Sequence, residues 1–135
     1  MKIDGSCHCG RITYEAEINP HYIVICHCSD CQTISSAPHR VSVVRVAAED
    51  FHLRGTPTTY VKTGRSGNEV QLAFCGNCGS SLYSRGLDSP RFNLRWGAIK
   101  QRAQLTPRAQ GFCDSAMPWA MDISQIRKIP YPPAP

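Results

Sequence analysis

Long apolar runs are missing from this sequence. No segment approaches the roughly 20 apolar residues that a membrane-spanning helix needs, and residues 1–10 contain no apolar stretch of the signal-peptide kind. There is no sustained helical period, no internal repeat and no linker. With 19% charged and 41% hydrophobic residues among 135, the composition is that of one folded domain. We therefore expect a single domain without a membrane segment, located in the cytoplasm.

Clustered positive charge is also missing. The formal net charge is +5, but the basic residues are dispersed and do not alternate with aromatic ones as in proteins that bind single-stranded nucleic acid. Two zinc ions bound by seven thiolates would lower this charge to about +2. Nucleic acid is therefore not expected as a partner.

The residue pattern favours short strands over helices. Alternating apolar residues and turns predict a mainly β protein with little helix, in which small sheets are held together by metal sites. The predicted strands are 12–18, 22–25, 40–46, 58–61, 70–74 and 92–96, and the one predicted helical segment is 29–36. A single zinc domain is expected over 1–129. The segment 130–135 is rich in proline (Pro130, Pro132, Pro133 and Pro135) and is expected to lie on the surface or fray.

Cysteine is the abundant residue, and seven of the eight cysteines fall into three tight clusters. In a reducing cytoplasm such clusters favour metal over disulfides, because close neighbours cannot easily reach bridging geometry with distant partners. Cys75 and Cys78 form a C-x-x-C zinc knuckle with flanking glycines. Cys7 and Cys9 form a second glycine-flanked turn, and the two pairs together predict a closed, structural zinc site with four thiolate ligands.

The remaining cluster offers three ligands. Cys26, Cys28 and Cys31 form C-x-C-x-x-C, and no further cysteine lies in a comparable motif. A tetrahedral ion with three protein ligands keeps one position for water or substrate, as catalytic zinc does. The count predicts two zinc ions per chain, one structural and one catalytic.

Several alternatives remain open at this stage. His8 and His27 lie inside the clusters and can be ligands, although a side chain between two ligands of a tight turn points away from their metal. His27 is the better candidate for contacting a ligand residue. Asp30 or Cys113 can complete the three-cysteine site. Otherwise Cys113 is expected to be an isolated thiol on a strand.

Three cysteine motifs in order resemble those of a known family. The segments that carry the resemblance are Gly-Ser-Cys-His-Cys-Gly-Arg-Ile-Thr-Tyr-Glu at 5–15, Cys-His-Cys-Ser-Asp-Cys at 26–31, Phe-Cys-Gly-Asn-Cys-Gly-Ser-Ser-Leu at 74–82 and Pro-Trp at 118–119. The chain resembles the glutathione-dependent formaldehyde-activating enzymes, whose domain is shared with centromere protein V. The resemblance implies a tent-like, Mss4-like β fold. It also implies structural zinc at Cys7, Cys9, Cys75 and Cys78, and catalytic zinc at Cys26, Cys28 and Cys31.

The activity that the resemblance implies is carbon–sulfur lyase chemistry run in reverse, the condensation of glutathione with formaldehyde to S-hydroxymethylglutathione. Ser36 stands where the family commonly has glycine, and His39 and Arg40 stand where it favours apolar or aromatic residues. We expect Arg40, His39 and Trp119 to bind substrate. Arg45 is a further candidate for a substrate carboxylate.

Two other function classes fit the same residues. One is a non-catalytic zinc scaffold that binds protein or nucleic acid, as the centromere relative suggests. The other is a carrier that binds a thiol or formaldehyde without turnover. Comparing turnover of glutathione and formaldehyde by the wild type and Cys28→Ser distinguishes an enzyme from both.

Overall fold

The computed structural model describes residues 1–131, and ten strands dominate it. The strands are β1 (Lys2–Ser6), β2 (Thr13–Glu17), β3 (Ile23–Cys26), β4 (Arg40–Ala47), β5 (Phe51–Arg54), β6 (Thr58–Thr63), β7 (Glu69–Phe74), β8 (Ser81–Gly86), β9 (Arg91–Arg95) and β10 (Ala109–Gly111). The α-helices are α1 (Ser29–Ser35) and α2 (Pro118–Met121), and four short 3-10 helices lie at Ala48–Asp50, Trp96–Ala98, Arg102–Gln104 and Cys113–Ser115. The mainly β class with little helix is confirmed.

The strands form two sheets. The smaller has the order β1-β2-β5, and the larger has the order β10-β3-β4-β9-β8-β7-β6. Neighbouring strands are antiparallel except β10, which lies parallel to β3. Because antiparallel neighbours need only short connections, the metal-binding turns lie close to the strands that they join.

The core lies between the two sheets. Ile3, Tyr14 and Phe51 of the small sheet pack with Val43 and Leu94 of the large sheet. The rings of Tyr14 and Phe51 meet edge to face, with centroids 5.3 Å apart. Packing of this kind leaves the opposite face of the large sheet free for other contacts.

One irregularity in β4 affects which side chains reach each face. The register between β4 and β9 shifts between Val43 and Val46, so one extra residue is present on β4. Arg45, in this bulge, has a φ of 65°. The bulge lets Val43 and Val46 both point into the core, although residues three positions apart on a regular strand face opposite sides.

The C-terminal segment after β10 is largely exposed. Within residues 1–131, no helix is long and apolar enough to cross a membrane. Pro130 is exposed, as expected for the proline-rich segment, whereas Pro132, Pro133 and Pro135 lie outside the described residues.

Candidate metal centres and substrate cavity

Four of the cysteines meet where the two sheets approach each other. Cys7 and Cys9 lie in the turn after β1, and Cys75 and Cys78 lie in the turn between β7 and β8. Their four sulfur atoms are all within 4.8 Å of one another. This grouping is the one that the sequence predicted.

The spacing of these sulfurs fits zinc. The Sγ atoms of Cys7 and Cys9 are 3.6 Å apart, and those of Cys9 and Cys75 are 3.7 Å apart. Four thiolates placed tetrahedrally at about 2.3 Å from a zinc ion are ~3.8 Å from one another. The glycine after each pair turns the chain with a positive φ, 82° at Gly10 and 79° at Gly79.

Neutral donors surround the four-cysteine group. The Ile12 amide donates to Cys7 Sγ at 3.3 Å, and Ser80 Oγ lies 3.2 Å from Cys78 Sγ. Hydrogen bonds from the hydroxyl and the amide of Ser80 lower the pKa of Cys78 to about 5. Cys7 and Cys75 are each only 2% exposed and belong to the core, so this group is part of the folded framework.

The other three clustered cysteines meet where β3 ends and α1 begins. Cys26 is the last residue of β3, Cys28 is the N-cap of α1, and Cys31 lies in its first turn. The Cys31 amide donates to Cys28 Sγ at 3.3 Å, as a capping side chain requires. The three sulfurs lie within 4.8 Å of one another, which also matches the prediction.

Ionisation is shared unequally among these three thiols. Burial raises the pKa of Cys31 to about 12. Burial also opposes ionisation of Cys28, but hydrogen bonds from the Cys31 amide and the neighbouring thiols outweigh it and lower the pKa of Cys28. A bound metal cation stabilises all three thiolates at once, so this donor set fits a soft, thiophilic ion such as zinc.

The group of three does not include the alternative ligands from the sequence. Asp30 instead forms an ion pair with Lys62, with Oδ2 and Nζ 2.8 Å apart. His27 is buried, and its Nε2 lies 2.8 Å from Gln110 Oε1. His8 is exposed and belongs to neither group. Within residues 1–131, three cysteines alone form this ligand set.

Cys113 was expected on a strand, and this prediction is wrong. It is exposed and begins the short 3-10 helix Cys113–Ser115, outside both cysteine groups. The preceding residue, Phe112, has a φ of 53°, and this left-handed conformation separates Cys113 from β10.

A cavity of about 290 Å³ lies beside the three-cysteine group, with Cys26, Cys28 and Cys31 in its wall. Its floor is the face of the large sheet that points away from the core. Cross-strand pairing places Cys26 opposite Arg40, and Ser42 opposite Arg95, so these side chains share that face. The volume lies at the lower end of the range usual for small-molecule sites.

Two buried arginines are the main charges in the floor. Arg40 and Arg95 are each 7% exposed, and neither forms an ion pair with a carboxylate of the described chain. Arg40 Nε donates to Ser35 Oγ at 3.0 Å, and Arg95 Nη1 donates to Ser42 Oγ at 2.7 Å. Arg40 Nη2 and Arg95 Nε are buried without a hydrogen-bond partner. Burial, together with the nearby charge of Arg40, lowers the pKa of Arg95 to about 9.

The hairpin between β6 and β7 covers the other side of the cavity, which Lys62 and Arg65 line. Lys62 reaches Asp30 on α1, and Arg65 Nη2 lies 3.1 Å from Asp114 Oδ2. The Arg65 guanidinium also lies over the Phe112 ring, 5.0 Å from its centroid. Two ion pairs therefore tie the hairpin across the mouth of the cavity.

The predicted substrate residues occupy different places. Arg40 lines the cysteine cavity. His39 lines a larger cavity nearby and not this one. Trp119 is 56% exposed on α2 and lines neither of these cavities. Arg45 has its guanidinium over Tyr22, 5.2 Å from the ring centroid, and is also absent from the cysteine cavity.

Sequence reasoning missed Arg95. The apolar alternation of Phe92, Leu94 and Trp96 predicts a strand but assigns no role to the residues that alternate with them. Those residues include Asn93 and Arg95, which both line the cysteine cavity. A polar phase on a strand whose other phase is apolar is the signal that points to them.

Comparison with known proteins identifies a family. The family model described as "Glutathione-dependent formaldehyde-activating enzyme" matches residues 2–115. No curated protein matches the chain. A similar solved structure is the crystal structure of a Rhodobacter sphaeroides protein, a structural-genomics target, with 20% identity and a TM-score of 0.62 over 79% of this chain and 98% of that one. At this identity the likeness concerns the fold alone.

Proposed function

Since this chain belongs to the glutathione-dependent formaldehyde-activating enzyme family, we propose that it is a zinc-dependent carbon–sulfur lyase-type enzyme that joins glutathione to formaldehyde as S-hydroxymethylglutathione. The observation that carries the proposal is the placement of three unpaired cysteines and two buried arginines around one cavity. A reducing compartment such as the cytoplasm would keep these thiols available.

Two zinc sites have different roles in this proposal. Cys7, Cys9, Cys75 and Cys78 would hold a structural ion with all four positions filled by protein. Cys26, Cys28 and Cys31 would hold the second ion and leave one position free. An ion there would keep an incoming thiol deprotonated at neutral pH.

The arginines explain why an anionic thiol is favoured. Three thiolates around a divalent ion would leave one net negative charge, and a substrate thiolate beside them would make it two. Arg40 and Arg95 supply two positive charges in the same cavity wall, which balance that state. Their unpartnered N–H groups are also suitable donors to a carboxylate of glutathione.

The reaction needs few further groups. The thiolate sulfur forms a bond to the formaldehyde carbon while the carbonyl π bond breaks, and the oxygen then takes up one proton. The proton released by the thiol and the proton taken up by the oxygen balance, so no redox partner is needed. The chain would contribute orientation of the thiol, the positive floor of the cavity and partial exclusion of water by the β6–β7 hairpin.

The test is catalysis of an equilibrium that is also reached slowly without enzyme. Zinc-loaded protein is mixed with glutathione and formaldehyde, and exchange between free and hydroxymethylated glutathione is followed by NMR. We expect faster exchange with the wild type and a loss of at least about 100-fold in Cys28→Ser. Cys113→Ser is the matched control, because Cys113 lies outside both cysteine groups.

Any of three results would contradict the proposal. The first is a wild type that accelerates exchange no faster than the uncatalysed rate. The others are full activity in Cys28→Ser, or an equal loss of activity in Cys28→Ser and Cys113→Ser. Saturable glutathione binding without any acceleration would identify a carrier instead of an enzyme.

A further inference from the structure

A second and larger cavity, of about 600 Å³, lies at the end of the large sheet where β4 begins and β9 ends. It contains no cysteine of either group. Arg40 and Arg95 line both this cavity and the cysteine cavity, so the two spaces share these two side chains. The function proposed above does not use the larger space.

The charge in this cavity is of one sign. No carboxylate lines it. Its arginine and lysine residues are Arg40, Arg95, Lys100 and Arg102. Lys100 is already paired with Asp4, with Nζ and Oδ2 2.7 Å apart. The other three have no carboxylate partner within residues 1–131. Uncompensated cations around a cavity favour an anionic ligand.

Buried hydrogen-bonding atoms also lack partners here. Arg40 Nη2, Arg95 Nε and His39 Nδ1 are each buried and make no hydrogen bond. Buried N–H groups are nearly always satisfied by protein, water or ligand. Arginine donors left free in a cavity wall match the acceptor oxygens of a carboxylate or phosphate.

The remaining wall is partly apolar. It combines Val41, Trp96 and Ala98 with polar residues, among them Ser6, Ser35, Ser80 and Ser81. The Trp96 indole is held in place, because its Nε1–H donates to the Leu105 carbonyl at 3.0 Å. A fixed aromatic ring next to arginine donors suits a ligand with a flat apolar body and an anionic head.

We propose that this cavity is a second ligand site, for a small organic acid with an aromatic or similarly flat body and a carboxylate or phosphate head. The head is held by Arg40, Arg95 and Arg102, and the body packs on Trp96. This site goes beyond the enzyme function proposed above and does not require turnover.

Calorimetry on the zinc-loaded protein tests it with four probes: benzoate, phenyl phosphate, inorganic phosphate and uncharged benzamide. We expect at least one of the two aryl acids to bind at least tenfold more tightly than benzamide and than inorganic phosphate. Whichever of benzoate and phenyl phosphate binds more tightly identifies the head group. Equal binding of the aryl acids and benzamide would overturn the proposal, because the charge would then have no role.

Variants locate the site. Arg102 lines only the larger cavity and Arg65 lines only the cysteine cavity, so Arg102→Gln should weaken aryl-acid binding at least fivefold while Arg65→Gln leaves it unchanged. Gly97 also lines the larger cavity, and a Cβ added there meets no heavy atom within 4 Å. Gly97→Leu therefore occupies the space without changing charge, and it should weaken binding by a similar factor.

Quenching of Trp96 fluorescence in a Trp119→Phe background gives a second readout of the same event. Unchanged affinity in both Arg102→Gln and Gly97→Leu would overturn the assignment to this cavity. Because Arg40 and Arg95 line both cavities, saturating glutathione should weaken aryl-acid binding, whereas Arg102→Gln and Gly97→Leu, which lie in the larger cavity only, should leave glutathione binding unchanged. Equal weakening of glutathione binding by these two variants would instead show one continuous site and overturn the second one.

Discussion

In both cysteine groups the sulfurs lie within 4.8 Å of one another, but the surroundings of the two groups differ. The four-cysteine group lies between the sheets, two of its members belong to the core, and its sulfurs meet an amide and a hydroxyl. The three-cysteine group lies on the outer face of the large sheet, beside a cavity whose floor contains two buried guanidinium groups. Both have the donor chemistry for zinc, yet only the cysteines of the second group themselves line a cavity.

This difference in surroundings supports the different roles proposed for the two ligand sets. Neutral donors stabilise thiolates without attracting a further anion, which suits a site whose positions are all filled. Buried cations without carboxylate partners are costly unless an anion is present, which suits a site that takes up one more thiolate. Ligand count and local charge therefore both separate the four-cysteine group from the three-cysteine group.

The largest expected effect separates the two groups by stability. Cys75→Ser removes a ligand in the core and should unfold the domain or lower its melting temperature by more than about 15 °C, because binding a structural zinc contributes folding free energy. Cys31→Ser should stay folded and lose activity. Circular dichroism melts of both variants check this, and equal losses of melting temperature would break the comparison.

Removal of metal should also distinguish the two cysteine groups. Freshly purified, reduced protein should contain about two zinc ions, and a chelator should remove the ion at the three-cysteine group first because that site has one protein ligand fewer. Elemental analysis, combined with circular dichroism during chelation, measures content and fold together. The comparison fails if only one ion is found in fresh protein, or if unfolding accompanies loss of the first ion.

A smaller effect concerns the charge in the cavity floor. Arg95→Met removes one buried cation and should weaken glutathione binding roughly tenfold, about 1.4 kcal/mol, while leaving the four-cysteine ion in place. Arg91→Met, at the exposed start of the same strand, is the matched control. Calorimetry with glutathione and with uncharged 2-mercaptoethanol measures both. A loss shared equally by the two thiols would remove the proposed contact between Arg95 and a carboxylate of glutathione.

The smallest effect concerns the hairpin over the cavity. Lys62→Gln and Arg65→Gln each remove one partly exposed ion pair, worth about 0.2–1 kcal/mol. We expect changes of less than about fivefold in the KM for glutathione and little change in melting temperature. Steady-state kinetics check this. A loss as large as that of Arg95→Met would show that the hairpin binds substrate directly.

The sequence predicted the cysteine grouping and the mainly β class because both are local signals. C-x-x-C spacing places two sulfurs on one turn whatever the rest of the chain does. It could not predict β8, in which Leu82, Tyr83 and Ser84 are all buried, because a strand covered on both faces shows no alternation. It also missed β10, since three residues parallel to a distant strand carry no periodic signal.

The sequence predicted which cysteines lie together at the candidate site, but only part of what surrounds them. Arg40 was predicted because it stands where the family favours an apolar or aromatic residue, whereas Arg95 reaches the site only through pairing of β4 with β9. His39 was assigned to the same pocket as its neighbour, but adjacent residues on an extended chain point to opposite sides. Ser36, noted as a departure from glycine, has a φ of 50°, so glycine would suit that position without strain.

The bulge in β4 has a consequence for how this protein can vary in length. Before the bulge, side chains of β4 alternate between the two faces of the large sheet. Arg40 and Ser42 point to the cavity, and Val43 points to the core. The strand β9 opposite has no extra residue, so deleting Arg45 would restore an unbroken alternation and leave Val43 and Val46 both facing the core. The extra residue is therefore not needed to bring Val43 and Val46 to the core. We expect that this point of β4 can lose one residue during evolution while the cavity residues before it keep their places.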